Sequence, residues 1–219
     1  MLNEEGSALH VVDSTGRVLT GHELLAVMTL LFCRSAPAAT VVAPTTASTA
    51  LDTMASRRGS QVIRTKSDER SLVQGAAGVE QGVAMAGDLQ GHFLFPRFQC
   101  AFDGVSALAI LLELLAQQDV SLRQAIESVP AMHVEHRQVP CSWERKGEVM
   151  RLLSEAAEGA RADFTDGIKL FEPEGWVLYL PDAVEPAFHV YVEATSPDEL
   201  ARLLHRSQSQ LHQLGAGVA

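Results

Sequence analysis

Apolar and polar positions follow two different rhythms along this chain, and the change between them falls near residue 129. Before it, short apolar runs alternate with longer helical stretches. Residues 9–13 and 17–19, joined by Ser14-Thr15-Gly16, read as a β-hairpin. Thr20 and Glu23 form a capping box opening a helix over 21–33, apolar nearly all round and so expected to be buried; Ser35-Ala36-Pro37-Ala38 breaks it. A strand over 40–43, ended by Pro44, precedes a helix over 48–58 with Gly59 as C-cap. A strand over 61–65, a helix opened by Ser67-Asp68 and running to 77, and a strand over 83–86 follow. Asp103 caps a strongly apolar helix over 104–117, and a short amphipathic helix occupies 121–128. This alternation predicts an α/β domain, a mixed sheet covered by helices.

After Pro130 the pattern is different. An extended segment over 134–139 leads to an amphipathic helix over 143–157, then strands over 167–171 and 176–180 around a turn at Glu172-Pro173-Glu174-Gly175. Residues 187–193 alternate with near-regular period two. Ser196-Pro197-Asp198-Glu199 opens a last helix to about 211, and 215–219 should fray. The second half is therefore expected to be a smaller α+β domain, an antiparallel sheet with helices on one face.

Composition narrows the function classes. The chain has 219 residues, 47% of them hydrophobic, a globular balance with room for two cores. A net charge of −10 argues against a nucleic-acid partner. No apolar run is long enough for a membrane span, and no basic segment leads an apolar one at the N-terminus, so a cytoplasmic protein is expected. Cys33, Cys100 and Cys141 are too far apart to suggest a zinc site or a disulfide framework; Cys33 and Cys100 are expected to be buried.

The candidate chemistry lies in Gly87-Asp88-Leu89-Gln90-Gly91-His92, a tight polar loop between two apolar runs. It reads either as a plain polar turn or as a binding loop held still by strands. The other histidines, His22, His133, His136, His205 and His212 among them, are expected to form no cluster.

The same six residues resemble the sugar-recognition motif Gly-Glu-x-Ser-Gly-His of the phosphohexomutases, the phosphomannomutase/phosphoglucomutase family, with Asp88 for Glu and Gln90 for Ser. Further motifs are similar in the same order. Asn3 to Ala8 fall where the family has its metal loop, Asp-x-Asp-x-Asp-Arg. Arg64-Thr65-Lys66 matches its Arg-Thr-Lys, and Asp103-Gly104 the start of its next helix. Leu180-Pro181-Asp182-Ala183-Val184-Glu185-Pro186 falls on its phosphate loop, Arg-Pro-Ser-Gly-Thr-Glu-Pro. The resemblance implies a hairpin remnant of a preceding domain over 1–20, the family's third domain over 21–128, and its TATA-binding-protein-like fourth domain over 129–219. It implies Asp88, Gln90, His92, Arg64 and Lys66 as the sugar-binding residues.

The family holds Mg²⁺ on three Asp and transfers phosphate through a phosphoserine in a domain this chain does not match. Here Asn3, Glu5 and Ser7 stand at the Asp positions, leaving Glu5 as the one remnant metal ligand, so no cofactor is expected. In the phosphate loop the Arg has become Leu180 and the Ser Asp182, so a scaffold role is expected. The reading is a non-catalytic phosphohexomutase module of a larger polypeptide, regulatory or hexose-phosphate binding, with fusion to a sugar nucleotidyltransferase as one natural setting. The alternatives are part of an active, divergent mutase that needs upstream domains, and a purely structural interaction domain.

Overall fold

The computed structural model describes residues 1–36, 38–78 and 82–216. The chain forms two compact units, Met1–Pro130 and Ala131–Ala219. The helix-breaking part assigned to Pro37 and the fraying of 217–219 lie outside the described residues.

The first unit opens with a minimal hairpin, tied by isolated bridges between Leu2 and Leu9 and between Val12 and Val18. Asp13 closes its turn. Its Oδ1 accepts the Thr15 and Arg17 amides, and the Thr15 hydroxyl above all holds its pKa down to about 2. Helix α1 (Gly21–Ser35) starts on the expected capping box, with Thr20 accepting from the Glu23 amide and Glu23 reaching back. Its apolar circumference is buried as expected, and the buried Thr29 hydroxyl is satisfied by the Leu25 carbonyl at 2.8 Å.

Strand β1 (Thr40–Pro44), helix α2 (Ala50–Ser56), strand β2 (Gln61–Thr65), helix α3 (Glu69–Ala77), and strands β3 (Val83–Gly87) and β4 (Phe93–Leu94) follow. The sheet order is β2-β1-β3-β4, with β1 parallel to both β2 and β3 and β4 antiparallel to β3. The central strand β1 is buried at every position, which explains its continuous apolar run. Helix α3 covers one face through Leu72 and Ala76 packed with Val42, Val83 and Ala86. Leu25 of α1 lies against Gly87 on the other. Helices α4 (Gly104–Gln117), capped by Asp103, and α5 (Leu122–Glu127), with a Ser121/Gln124 capping box, complete the unit.

The second unit comprises β5 (His133–Pro140), α6 (Trp143–Ala156), β6 (Ala162–Asp163), β7 (Ile168–Glu172), β8 (Gly175–Pro181), β9 (Ala187–Ala194) and α7 (Pro197–Gln213). Its sheet is antiparallel throughout, in the order β5-β9-β8-β7-β6. Val149 and Leu153 of α6 and Leu203 and Leu211 of α7 share one core with Val177, Phe188, Val190 and Val192. The two-residue strand β6 is too short to leave a periodic signal, and the sequence reading omits it.

Two expectations are corrected. Cys100 is exposed, because the apolar run before it ends at β4 and the residue sits in the surface turn that follows. The histidines do cluster. His136 lies diagonally across the β5–β9 pairing from His189, with His136 Nε2 2.9 Å from His189 Nδ1. Neither residue is near the other in sequence; the antiparallel register brings them together.

Candidate functional site

In the first unit β1 is central, with β2 on one side and β3 on the other. The order of the parallel strands thus reverses between β1 and β3, and the carboxyl ends of strands at such a switch point are where open α/β sheets bind ligands. The loop Gly87–His92 leaves β3 at this edge.

Two close backbone approaches build the loop. Gly91 has φ +88°, and an added Cβ would lie 2.3 Å from the Leu9 carbonyl oxygen. The Leu9 amide in turn donates to the Gly91 carbonyl at 2.8 Å. On the other side, a Cβ on Gly21 at the start of α1 would strike the Leu89 carbonyl. Glycine at 21 and 91 therefore lets the loop be clasped between the N-terminal hairpin and α1.

Asp88 holds the loop's interior. It is only 4% exposed. Its Oδ1 accepts the amides of Gln90 and His92 at 2.8 and 2.9 Å, and its Oδ2 lies 2.8 Å from His92 Nδ1. Both carboxylate oxygens are thus committed to the loop itself. Asp88 orients the imidazole and fixes Nδ1 as the atom facing the carboxylate. His92 packs its ring on Phe102 at 5.2 Å and stays partly exposed. Its Nε2 makes no hydrogen bond among the described residues. Gln90 is exposed at the tip.

Arg64 lies on β2. Its guanidinium donates to the carbonyls of Pro44, Ala47 and Ser48 and pairs with Asp52. It clamps the turn from β1 into α2. Lys66 is exposed just past the end of β2. It shares the carboxyl edge with Asp88, two strand spacings or roughly 10 Å across the sheet.

Residues 3–8 form a turn closed on itself. Asn3 Nδ2 donates to the Ser7 hydroxyl at 2.9 Å, and Asn3 Oδ1 accepts the Ala8 amide at 3.0 Å. Glu5 is exposed at the turn's tip. Ala8 bridges His92, so this turn adjoins the Asp88 loop. A hard divalent ion needs several charged oxygens converging at one point. An amide and a hydroxyl bonded to each other beside the exposed, non-converging carboxylates of Glu4 and Glu5 do not fit Mg²⁺. Among the described residues no group of three or more His, Cys, Asp or Glu could hold a metal ion.

In the second unit, residues 180–186 also close on themselves. Asp182 Oδ1 accepts the amides of Val184 and Glu185 at 2.7 and 2.8 Å, and Oδ2 lies 2.8 Å from His189 Nε2. These bonds, the two amides first, hold the Asp182 carboxyl down to about 2. Pro186 accepts from the Cys141 amide, and Glu185 accepts from Gln138, so both pin the turn to β5. Sequence reasoning missed Lys146, a buried residue of α6 whose ammonium donates to the carbonyls of Asp182 and Glu185. A lysine on the apolar side of an amphipathic helix was the available signal.

The family model described as Phosphoglucomutase/phosphomannomutase, alpha/beta/alpha domain III matches residues 20–132. The chain belongs to the phosphoglucomutase/phosphomannomutase family. A relative from Methanocella arvoryzae, named "Probable phosphoglucosamine mutase", is 30% identical over 207 residues, 94% of this chain and 45% of the relative. The phosphoglucomutase/phosphomannomutase of Thermococcus kodakarensis is 28% identical over 195 residues, 88% of this chain and 42% of its own. Among solved structures, a phosphoglucomutase/phosphomannomutase family protein from Burkholderia thailandensis superposes with a TM-score of 0.82 at 22% identity, over 98% of this chain and 46% of that one. An Aspergillus fumigatus N-acetylphosphoglucosamine mutase, solved with GlcNAc-6P and magnesium, gives 0.70 at 13% identity, over 98% and 48%. This family member spans about half the length of the relatives it matches. Among its described residues no helix is long and apolar enough to cross a membrane.

Proposed function

We propose that this family member is a non-catalytic phosphohexomutase module that binds a hexose phosphate at the Gly87–His92 loop. The observation that carries this reading is the Asp88–His92 pair. A buried carboxylate holds Nδ1 and two loop amides, so the imidazole presents Nε2 at the carboxyl edge of the sheet. With Nδ1–H donated to Asp88, neutral His92 accepts a sugar hydroxyl through Nε2, and protonated His92 donates there instead. Gln90 supplies an amide to a second hydroxyl, and Lys66 a positive charge for the phosphate. Phosphoryl transfer has no such support in this chain, where the turn over residues 3–8 lacks converging carboxylates and the 180–186 turn is filled by Asp182.

Titration calorimetry with mannose 1-phosphate and glucose 1-phosphate tests the binding half. Binding of either that is lost in His92→Asn and Asp88→Ala supports it. Binding that survives both changes places the ligand elsewhere, and no binding of any hexose phosphate returns the chain to a structural role. A mutase assay on the natural full-length polypeptide with Mg²⁺ tests the other half. Turnover there would favour a working half of a divergent enzyme.

A further inference from the structure

The turn after β8 sorts its backbone groups between two partners. Its carbonyls at Asp182 and Glu185 accept from the Lys146 ammonium, which is buried and lies 3.7 Å from the centre of the Trp143 ring. Its amides at Val184 and Glu185 donate to one oxygen of the Asp182 carboxylate. The other oxygen meets His189 Nε2, and His189 Nδ1 is held by His136 Nε2. His136 is stacked on Tyr191, with ring centres 4.4 Å apart and planes 17° off parallel. A single carboxylate therefore receives two fixed amides and an imidazole, on a turn whose carbonyls are drawn to an ammonium. Converging amides with nearby positive charge are the donor set that recognises an oxyanion.

We propose that Asp182 is a built-in anion: its carboxylate occupies the oxyanion pocket of the 181–187 turn, closes it to phosphate and carboxylate ligands, and orders the turn without any ligand. A side chain tethered two and three residues from the amides it binds is present at an effective concentration of about millimolar or higher. The two turn amides, ahead of His189, also hold the carboxyl down to about 2, so it carries its charge near neutral pH. The inference is independent of the Asp88–His92 reading, because it concerns the second unit alone.

The chain carries its own reporter. Both of its tryptophans, Trp143 and Trp176, lie in the second unit, so tryptophan fluorescence follows that unit and is blind to ligands on the first. Melts are run in phosphate, acetate and chloride at matched ionic strength. Each variant's midpoint is read against the wild type in the same salt, because phosphate stabilises folded proteins in general. Asp182→Ala should melt lower in chloride by roughly 5–10 °C and recover at least half of that in phosphate or acetate. Asp182→Asn still fills the pocket with an acceptor, so it should show a smaller loss and no anion effect. An Asp182→Ala deficit, relative to the wild type, that is the same in all three salts overturns the proposal. Should Asp182→Ala fail to fold, amide NMR of the wild type decides. The Val184 and Glu185 resonances should stay put on titration with phosphate, and their movement overturns it.

Discussion

The Asp88 loop of the first unit and the Asp182 turn of the second use the same parts to opposite ends. In each, one aspartate accepts two backbone amides through Oδ1 and a histidine through Oδ2. The difference lies in the histidine's second nitrogen. His92 keeps Nε2 without a hydrogen bond among the described residues. His189 has both nitrogens engaged, one by Asp182 and one by His136. An Asp–His pair with a spare ring nitrogen can receive a ligand; one whose ring is bonded at both ends is a fastening. The pair alone does not identify a site, and the third partner decides which it is.

The largest break in this comparison should come from backbone geometry. Gly91→Ala puts a Cβ against the Leu9 carbonyl at a positive φ, and neither backbone can yield cheaply. A loss of about 3 kcal/mol is expected, read from denaturant midpoints, together with loss of any hexose-phosphate binding. A Gly91→Ala protein that binds normally would remove the loop from the site.

Asp88→Ala should come next. It leaves the amides of Gln90 and His92 without their buried acceptor, and about 2–3 kcal/mol should be lost. Asp88→Asn, which keeps an acceptor but turns a donor toward one side, should recover part of the stability and little of the binding. Equal behaviour of the two variants would mean that the carboxylate only fills space.

Much of the frame behind this comparison was legible in the sequence. The capping boxes at Thr20 and Ser121, the Asp103 cap and the Pro197 helix start are local chemistry, written within four residues of one another. The continuous apolar run of β1 announced a strand buried on both faces. What the residues at the two turns do was not legible, for a physical reason. Arg64 reads as a free cation until the fold brings three carbonyls and Asp52 around its guanidinium. Asp182 reads as a charge that repels phosphate, although it behaves as the anion itself. Lys146 of α6 reaches that turn across 36 residues, and His136 of β5 reaches His189 of β9 across 53, separations that no local pattern encodes. A resemblance can name a loop, but only its partners say whether it is open.

A smaller effect should sharpen the contrast directly. His92→Asn, at a partly exposed ring, should cost under about 1 kcal/mol of stability while weakening hexose-phosphate binding about tenfold, the loss of one good hydrogen bond. His189→Asn should leave that binding unchanged. Calorimetry on the two variants side by side reads both. Equal losses of affinity would dissolve the distinction drawn between the two histidines.

The smallest expected effect is a pH dependence that belongs to the closed turn alone. Burial first, and then the neighbouring His189, lower the pKa of His136 below its ordinary value. The unfolded chain therefore binds this proton more readily than the folded one. The stability tied to neutral His136 is fully present above about pH 6.5 and is lost as pH falls through the lower folded value. Asp182, depressed to about 2, adds its own acid sensitivity only below about pH 4, outside this window. His136→Phe keeps a ring stacked on Tyr191 but carries no proton. Its urea midpoint, followed by tryptophan fluorescence, should change less between pH 7.5 and pH 5 than that of the wild type, by an amount under about 1 kcal/mol given the ring's partial exposure. If the two proteins tracked each other across that interval, the His136–His189 bond would not be coupled to the folding of its unit, and the fastening would rest on Asp182 and Lys146 alone.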